Sequence, residues 1–567
     1  SEISNDDVPR ASELAEFFRL HKALMPALPA GQLTEFWKSA PSLLTFLDSG
    51  YQAFRAISGK KKVPKELLAG PGQIDDLARR NQRIGRIIKL ALGETEAPHL
   101  WVAPTYKYYR DEYFGSSSTR KVLAFSGWRF VPKAIAIIAS SVATERAGGE
   151  PDDPTQPIRF TDKPSFHVFD ICMPSRALAR IGDLALTRAG ESGLPSADEV
   201  VENTAVLLRE HLLLAGIEVV PTGGDRIWRI AMRLEQAEGW AGSIVAAMEA
   251  CADEEEAVNL LRHSEHVQEW LDDDATRLQI SEARLRHLAL VAAFSPAVSL
   301  LRACESVYGI GEVNALPNLM RVCLGAMRRY FNRPLTQQII RNHEPRISFR
   351  ARQADRGYAE RVLGYAADAH LQAVLDEYLY LLRGAGQADT ASRALGQLAE
   401  VWALARGNPR ANGARGRGKE VHVEENSEIH AAHFALAFGE DVTRENGPDV
   451  DDSKMRKSVV REAFNSPFWP FVLATTSVGQ EGLDFHLYCR DVFHWNLPSN
   501  PVDLEQREGR VNRRDGLAIR QSIAVDWPIS EVAPGSRNPW LRVFDQVERA
   551  DRVQRYKHGL FPHWIYE

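Results

Sequence analysis

The stretch VLATTSVGQEGLDFHLYCRDVFHWNLPSNPVDLEQREGRVNRRDG, residues 472–516, decides the fold of this 567-residue chain. Its opening, FVLATT (Phe471–Thr476), is a short apolar run that ends in hydroxyl residues, the pattern of a buried strand handing over to a loop. Ligands of open α/β sheets bind beyond such carboxyl ends, so Thr475, Thr476 and Ser477 are candidate ligand contacts. Gly479 and Gly482 permit tight turns. Asp484 then supplies a carboxylate able to accept ribose hydroxyls or to hold a neighbouring arginine. Further on, LPSNP turns the chain into VDLEQREGRVNRR. On a helix, Gln506, Gly509, Arg510 and Arg513 stand three or four residues apart and share one face. Two guanidiniums beside a glycine suit a polyanion, because the planar fork donates several hydrogen bonds and never loses its charge.

Working outward, DVFHW (Asp491–Trp495) and RQSIAVDW (Arg520–Trp527) read as further strands, and AAHFALAF (Ala431–Phe438) as the strand before FVLATT. Far upstream, RKVLAFS (Arg120–Ser126) reads as a buried strand, followed by the helical VPKAIAIIASSVATERA, the start of an α/β unit. Between these halves lie the loop AGGEPDDPTQP and helical patterns such as ADEVVENTAVLLREHLLLAG and HLQAVLDEYLYLL. They predict a mainly α-helical insertion of roughly 240–260 residues. Residues 1–118 read as mostly helical, with a basic patch at Lys60, Lys61, Lys62 and Lys65. Ala405–Glu420, rich in Gly and Arg, and Thr443–Met455, polar and without apolar period, read as loops or disorder.

A composition of 44% hydrophobic and 25% charged residues reads as soluble and globular, and a formal net charge of −6 confines any basic surface to a local patch. No apolar run approaches the roughly 18 residues of a membrane span. The longest, Val131 to Ala143, contains Lys133 and predicts a buried helix. The scattered Cys172, Cys251, Cys304, Cys323 and Cys489 form no C-x-x-C pair, which argues against a thiolate zinc site and for reduced thiols in a cytoplasmic protein. His486 and His494 show no metal-ligand spacing, so no metal site is expected.

Taken in order, the pieces resemble a known family. Strand, T-x-x-x-x-x-G-x-D, strand and Q-x-x-G-R-x-x-R are similar to motifs V and VI of superfamily-two helicases, on Thr476, Gly482 and Asp484 and on Gln506, Gly509, Arg510 and Arg513. The run NLPSNPVDLEQREGRVNR most resembles Swi/Snf-type translocases of the bacterial RapA branch, and KVLAFS resembles motif IV. The resemblance covers roughly 120–145 and 429–530. It implies an α/β RecA-like lobe, the second of two. That lobe would be built from residues 119–147 and 429–535 around an insertion at 148–428, with a C-terminal extension at 536–567. It also implies that Arg510 and Arg513 reach the γ-phosphate of ATP bound with Mg2+ between two lobes. Gln506 would share their catalytic role, Gly482, Asp484 and Gly509 would bind the nucleotide, and Thr475, Thr476 and Ser477 would touch a nucleic-acid backbone, duplex DNA above RNA. Helicase-like proteins with such insertions suggest a phage-defence or DNA-processing setting.

Neither a first lobe's phosphate loop nor its magnesium-binding acids are recognisable in the sequence. GARGRGKE (Gly413–Glu420) has P-loop spacing, but Glu420 stands where Ser or Thr should hold magnesium. Asp376 and Glu377 resemble an acidic pair, yet the helical spacing around them predicts an exposed helix edge. With Ser1 and not Met at its start, the chain is expected to be part of a longer protein, or to meet a first lobe on another chain. Alone it is expected to be inactive. A second basic stretch runs from Arg321 to Arg361. Arg328, Arg329, Arg333, Arg341, Arg346, Arg350, Arg352 and Arg356 could track phosphates there, and Tyr330, Phe331 and Phe349 could stack on bases. The opposing reading is a paired helical face with the aromatics in the core. Two rival functions remain: a non-catalytic scaffold whose insertion binds a protein partner, and an RNA-directed helicase.

Overall fold

The computed structural model of the chain describes residues 11–24, 42–69, 74–94, 96–110, 113–114, 119–149, 157–159, 166–183, 194–251, 257–272, 277–309, 316–347, 357–438, 450–476, 483–532, 538–551 and 561–566. Nine strands run through these residues: β1 (Lys62–Pro64), β2 (Lys121–Ser126), β3 (Glu218–Val220), β4 (Gln279–Ser281), β5 (Arg410–Arg415), β6 (Glu420–Ile429), β7 (Ala435–Phe438), β8 (Val472–Thr476) and β9 (Cys489–His494). The chain divides into two compact units. The first holds residues 1–102, 117–149 and 404–518, and the second holds 103–116, 150–403 and 519–567.

The first unit is built on a parallel sheet in the order β7-β8-β2-β9. β2 is buried along its whole length, which explains its unbroken apolar sequence: a strand covered on both faces cannot alternate. Leu123, Phe125, Leu473, Phe438, Phe464 and Phe485 form the core on one side. The helix Phe130–Arg146 supplies a run of buried apolar residues, Lys133 being half-buried within it. Lys121 is buried, and its Nζ donates to the carbonyls of Ala463, Phe464 and Phe468. Two of those carbonyls close the helix Val450–Phe464. A lysine at the last turn of a helix satisfies carbonyls that have no intrahelical partner.

Several expectations change here. RQSIAVDW is not a strand: Leu517–Asp526 is a helix, with Ile519, Arg520 and Ile523 buried at helical spacing. Ala405–Glu420 is not disordered. Arg410–Arg415 and Glu420–Ile429 pair as an antiparallel hairpin that joins β1 in a second sheet, β1-β6-β5. The turn uses Gly416 at φ +126° and Gly418 at φ +133°, conformations open to glycine and costly to other residues. GARGRGKE therefore spans a hairpin turn, with no strand-to-helix junction to cradle phosphate. Residues 404–428 fall in the first unit and not with the helical segment expected over 148–428. Val450–Met455 begins a helix, and residues 443–449 of that polar stretch lie outside the described residues.

Among its described residues the second unit is helical apart from the parallel pair β3-β4. Asp376 and Glu377 lie on its helix Leu371–Gly384, but they are buried and not an exposed edge. Tyr108 donates to Asp376 at 2.7 Å and Gln372 at 3.1 Å. Burial pushes the Asp376 carboxyl up to about 7. Among the described residues no single helix is long and apolar enough to cross a membrane, and the five cysteines are free thiols.

Glu235, also in this unit, gives a pH prediction. It is 1% exposed, and its carboxylate accepts from the Ser175 hydroxyl and from the Ala177 N–H. Burial raises its pKa from 4.5 to about 7 despite those bonds. A carboxyl raised in the folded state favours folding fully below its unfolded pKa, and that contribution is lost as pH rises through the folded pKa. Glu235→Gln is neutral at every pH. It should flatten the pH dependence of unfolding free energy between about pH 4.5 and pH 7 by about 3 kcal/mol. Urea unfolding at pH 5 and pH 8 checks this, and an unchanged difference between the two would refute it.

Candidate nucleotide and nucleic-acid site

The carboxyl ends of β2, β8 and β9 lie along one edge of the parallel sheet. Trp495 N–H donates to the Phe125 carbonyl at 2.8 Å, and the Ser126 hydroxyl bonds the Asn496 side chain at 3.2 Å. The chain then enters the helix Pro501–Glu508, whose start is fixed locally. Asn500 accepts from the Val502 N–H at 3.0 Å, and Pro501 occupies the first helical position. Arg507 is buried on this helix; its guanidinium donates to the Asn496 carbonyl at 3.1 Å and lies 5.3 Å from the Phe125 ring centroid. That contact fastens the helix to the sheet edge. The sequence does not reveal it, because the GRxxR pattern singles out the arginines that follow.

The helix stops at Gly509, so Arg510 and Arg513 do not share a helical face with Gln506, as the spacing predicts. Tight turns replace the helix: Arg510 N–H bonds Arg507 O, and Val511 N–H bonds Glu508 O. Gly516 N–H then bonds Arg513 O. A Cβ on Gly516 would lie 2.9 Å from the Arg513 carbonyl, so only glycine allows this approach.

This turn segment is laced to the segment that precedes β9. Phe485 N–H donates to Arg510 O at 2.9 Å, Leu517 N–H to His486 O at 3.0 Å, and the Arg510 guanidinium to Leu483 O at 3.2 Å. Arg513 Nε pairs with Asp484 Oδ1 at 2.9 Å. Of the two roles open to Asp484, the structure displays the arginine partner. Asn465, just beyond the helix Val450–Phe464, bonds both the Asp484 carbonyl and the Leu487 N–H. Nothing local in the sequence marks an asparagine whose partners lie some 20 residues on.

The remaining candidates are placed as follows. Gln506 is exposed and Gly509 caps the helix. Thr476 closes β8 half-buried, whereas Thr475 is buried with its hydroxyl donating to the Thr476 carbonyl, so it offers no surface contact. Ser477 and Gly482 lie outside the described residues. In the second unit Arg329 is exposed, but Arg328 is buried and donates to Leu324 O and Ile158 O. Arg333 is half-buried, donates to Trp402 O, and has its pKa lowered by burial. Tyr330 and Phe331 are core residues. The phosphate-and-stacking reading of this stretch thus loses Arg328, Arg333, Tyr330 and Phe331, whereas Arg329, Arg341 and Arg346 are exposed; Phe349, Arg350, Arg352 and Arg356 lie outside the described residues.

No curated protein and no solved structure matches the chain. Residues 451–515 match a family model, the helicase conserved C-terminal domain, and the match takes in Asp484, Gln506, Arg510 and Arg513; over this segment the chain is similar to the C-terminal lobe of superfamily-two helicases.

Proposed function

We propose that the first unit contains the second RecA-like lobe of an ATP-driven, superfamily-two motor that translocates on duplex DNA. The observation that carries this reading is the lacing of residues 483–486 to residues 510–517, with Arg513 held by Asp484. It joins the two helicase-like motifs to each other. The pair engages Arg513 through Nε, and among the described residues the terminal Nη groups have no partner. With 39% of its side chain exposed, Arg513 fits an anionic phosphate arriving from outside the unit. ATP, once bound, would supply a transferring phosphoryl group whose negative charge spreads in the transition state. Arg513 and Arg510 would stabilise that charge, Asp484 would hold Arg513 in position, and Thr476 with Ser477 would contact the DNA backbone. Mg2+ would be held mainly by acids of a first lobe, in cis or in trans.

The test is division of labour. This chain alone should show no duplex-stimulated ATP hydrolysis, and adding a matching first lobe should restore it. Robust hydrolysis by the isolated chain would end the half-motor reading.

A further inference from the structure

Two basic stretches without a role in the motor reading meet in the first unit. Lys62 on β1 and Arg415 on β5 both pair with His422 of the central strand β6. Residues directly opposed across antiparallel strands point to the same face about 4.5–5.5 Å apart. Lys62 and Arg415 therefore flank His422 in one transverse row, while Val63 and Val421 are buried on the other face. Lys65 N–H donates to Lys419 O at 2.9 Å, which sets the chain after β1 beside the hairpin turn. Added Cβ atoms at Gly416 and Gly418 would meet nothing within 4 Å, so the turn projects into open space.

Lys60, Lys62, Lys65, Arg415, Arg417 and Lys419 are all exposed. Lys61 is different: half-buried, it donates to the Ala23 carbonyl. The acids at this place are Glu66, which lies 3.8 Å from Arg19, and Glu420 and Glu424. Six exposed cations against three acids make a positive patch on a chain of net charge −6. Within 57–69 and 410–424 no large apolar side chain is exposed, and those nearby, Phe18 on the helix Ala11–Leu24 and Ile429 at the end of β6, lie outside the cationic row and the hairpin turn. A protein partner or a membrane would call for such anchors. A phosphodiester backbone needs only charge.

We propose that this face and hairpin tip form a nucleic-acid backbone clamp, independent of nucleotide, the choice of duplex DNA resting on the motor reading above. The experiment is a salt titration of full-chain binding to a short fluorescent duplex without ATP. Lys60→Gln/Lys62→Gln/Lys65→Gln and Arg415→Gln/Arg417→Gln/Lys419→Gln should each shallow the log K against log[salt] slope by about 1–3, near 0.9 for each phosphate no longer neutralised. Arg415→Lys/Arg417→Lys should keep the wild-type slope, and all variants should keep the wild-type melting temperature. A wild-type slope in both triple variants, or slopes that change with single-stranded RNA but not with duplex DNA, would overturn the proposal. Hydrolysis is not read, so failure of the arginine assignment at Arg510 and Arg513 would leave this result standing, and the reverse.

Discussion

Arg513→Ala should lower ATP turnover by about 10³–10⁵-fold in a protein that pairs this chain with a first motor lobe, and Arg510→Ala should do the same. The magnitude follows from the proposed role. Positive charge placed where the transition state spreads negative charge acts on the barrier and not on ground-state binding. The structure separates this effect from unfolding. Arg513 and Asp484 pair with 39% and 43% of their side chains exposed, and such pairs contribute at most about 1 kcal/mol to stability. The alanine variant should therefore keep its fold and bind duplex DNA without nucleotide as before. Arg513→Lys should rescue poorly, because a point charge cannot hold Asp484 and a phosphate at once as the planar fork can. Asp484→Asn keeps the shape but weakens the grip on Arg513, and its effect should be smaller than that of Arg513→Ala. Steady-state hydrolysis with and without duplex measures all four, and near-normal turnover in both alanine variants would sink the arginine assignment.

The largest expected effect on stability lies in the second unit, at Glu377 and Arg520. They are 1% and 0% exposed, and they pair at 3.0 Å. Glu377 also accepts from the N–H and the hydroxyl of Thr105, each at 2.8 Å. The Arg520 guanidinium lies 5.9 Å from the Trp540 ring centroid. Removing one member leaves the other without its partner, so Arg520→Met or Glu377→Met should destabilise the unit by about 3–5 kcal/mol. The double variant Glu377→Met/Arg520→Met should cost less than the two single changes added together, because it removes both charges. Denaturant midpoints of the three variants decide the matter: additive effects would mean that the two side chains do not depend on each other.

The same pair shows where sequence reading reaches its limit. Asp376 and Glu377 look exposed because adjacent carboxylates on a helix ordinarily face water. Besides Gln372 one turn back, it is Tyr108, Thr105 and Arg520, far away in the chain, that make their burial tolerable. The apolar strands are easier. KVLAFS, ALAF and VLATT are near-continuous hydrophobic runs, and each is a strand of the parallel sheet. RQSIAVDW misleads because β-branched residues raise strand propensity, whereas tertiary contacts with Ile519, Arg520 and Ile523 impose a helical period. The hairpin at 410–429 is hard to see in the sequence because Gly and Arg obscure its alternation. At the candidate site the motif residues are legible one by one. The helix stop at Gly509 and the buried anchors Arg507 and Asn465 are not, because each depends on partners brought in by the fold.

Sheet order also governs how this chain is made. Val122 of β2 pairs with Val472 of β8, about 350 residues downstream. A ribosome adding roughly 5–20 residues per second needs about 20–70 seconds to supply that partner. Throughout that interval β2 has emerged with none of its parallel neighbours yet synthesised, while the helices of residues 150–403 are made one after another beside partners near in sequence. Helices within 150–403 are therefore expected to form before the sheet, although Glu377 waits for Arg520, and the KVLAFS strand to depend on chaperone cover, since an unpaired apolar strand invites association with other chains.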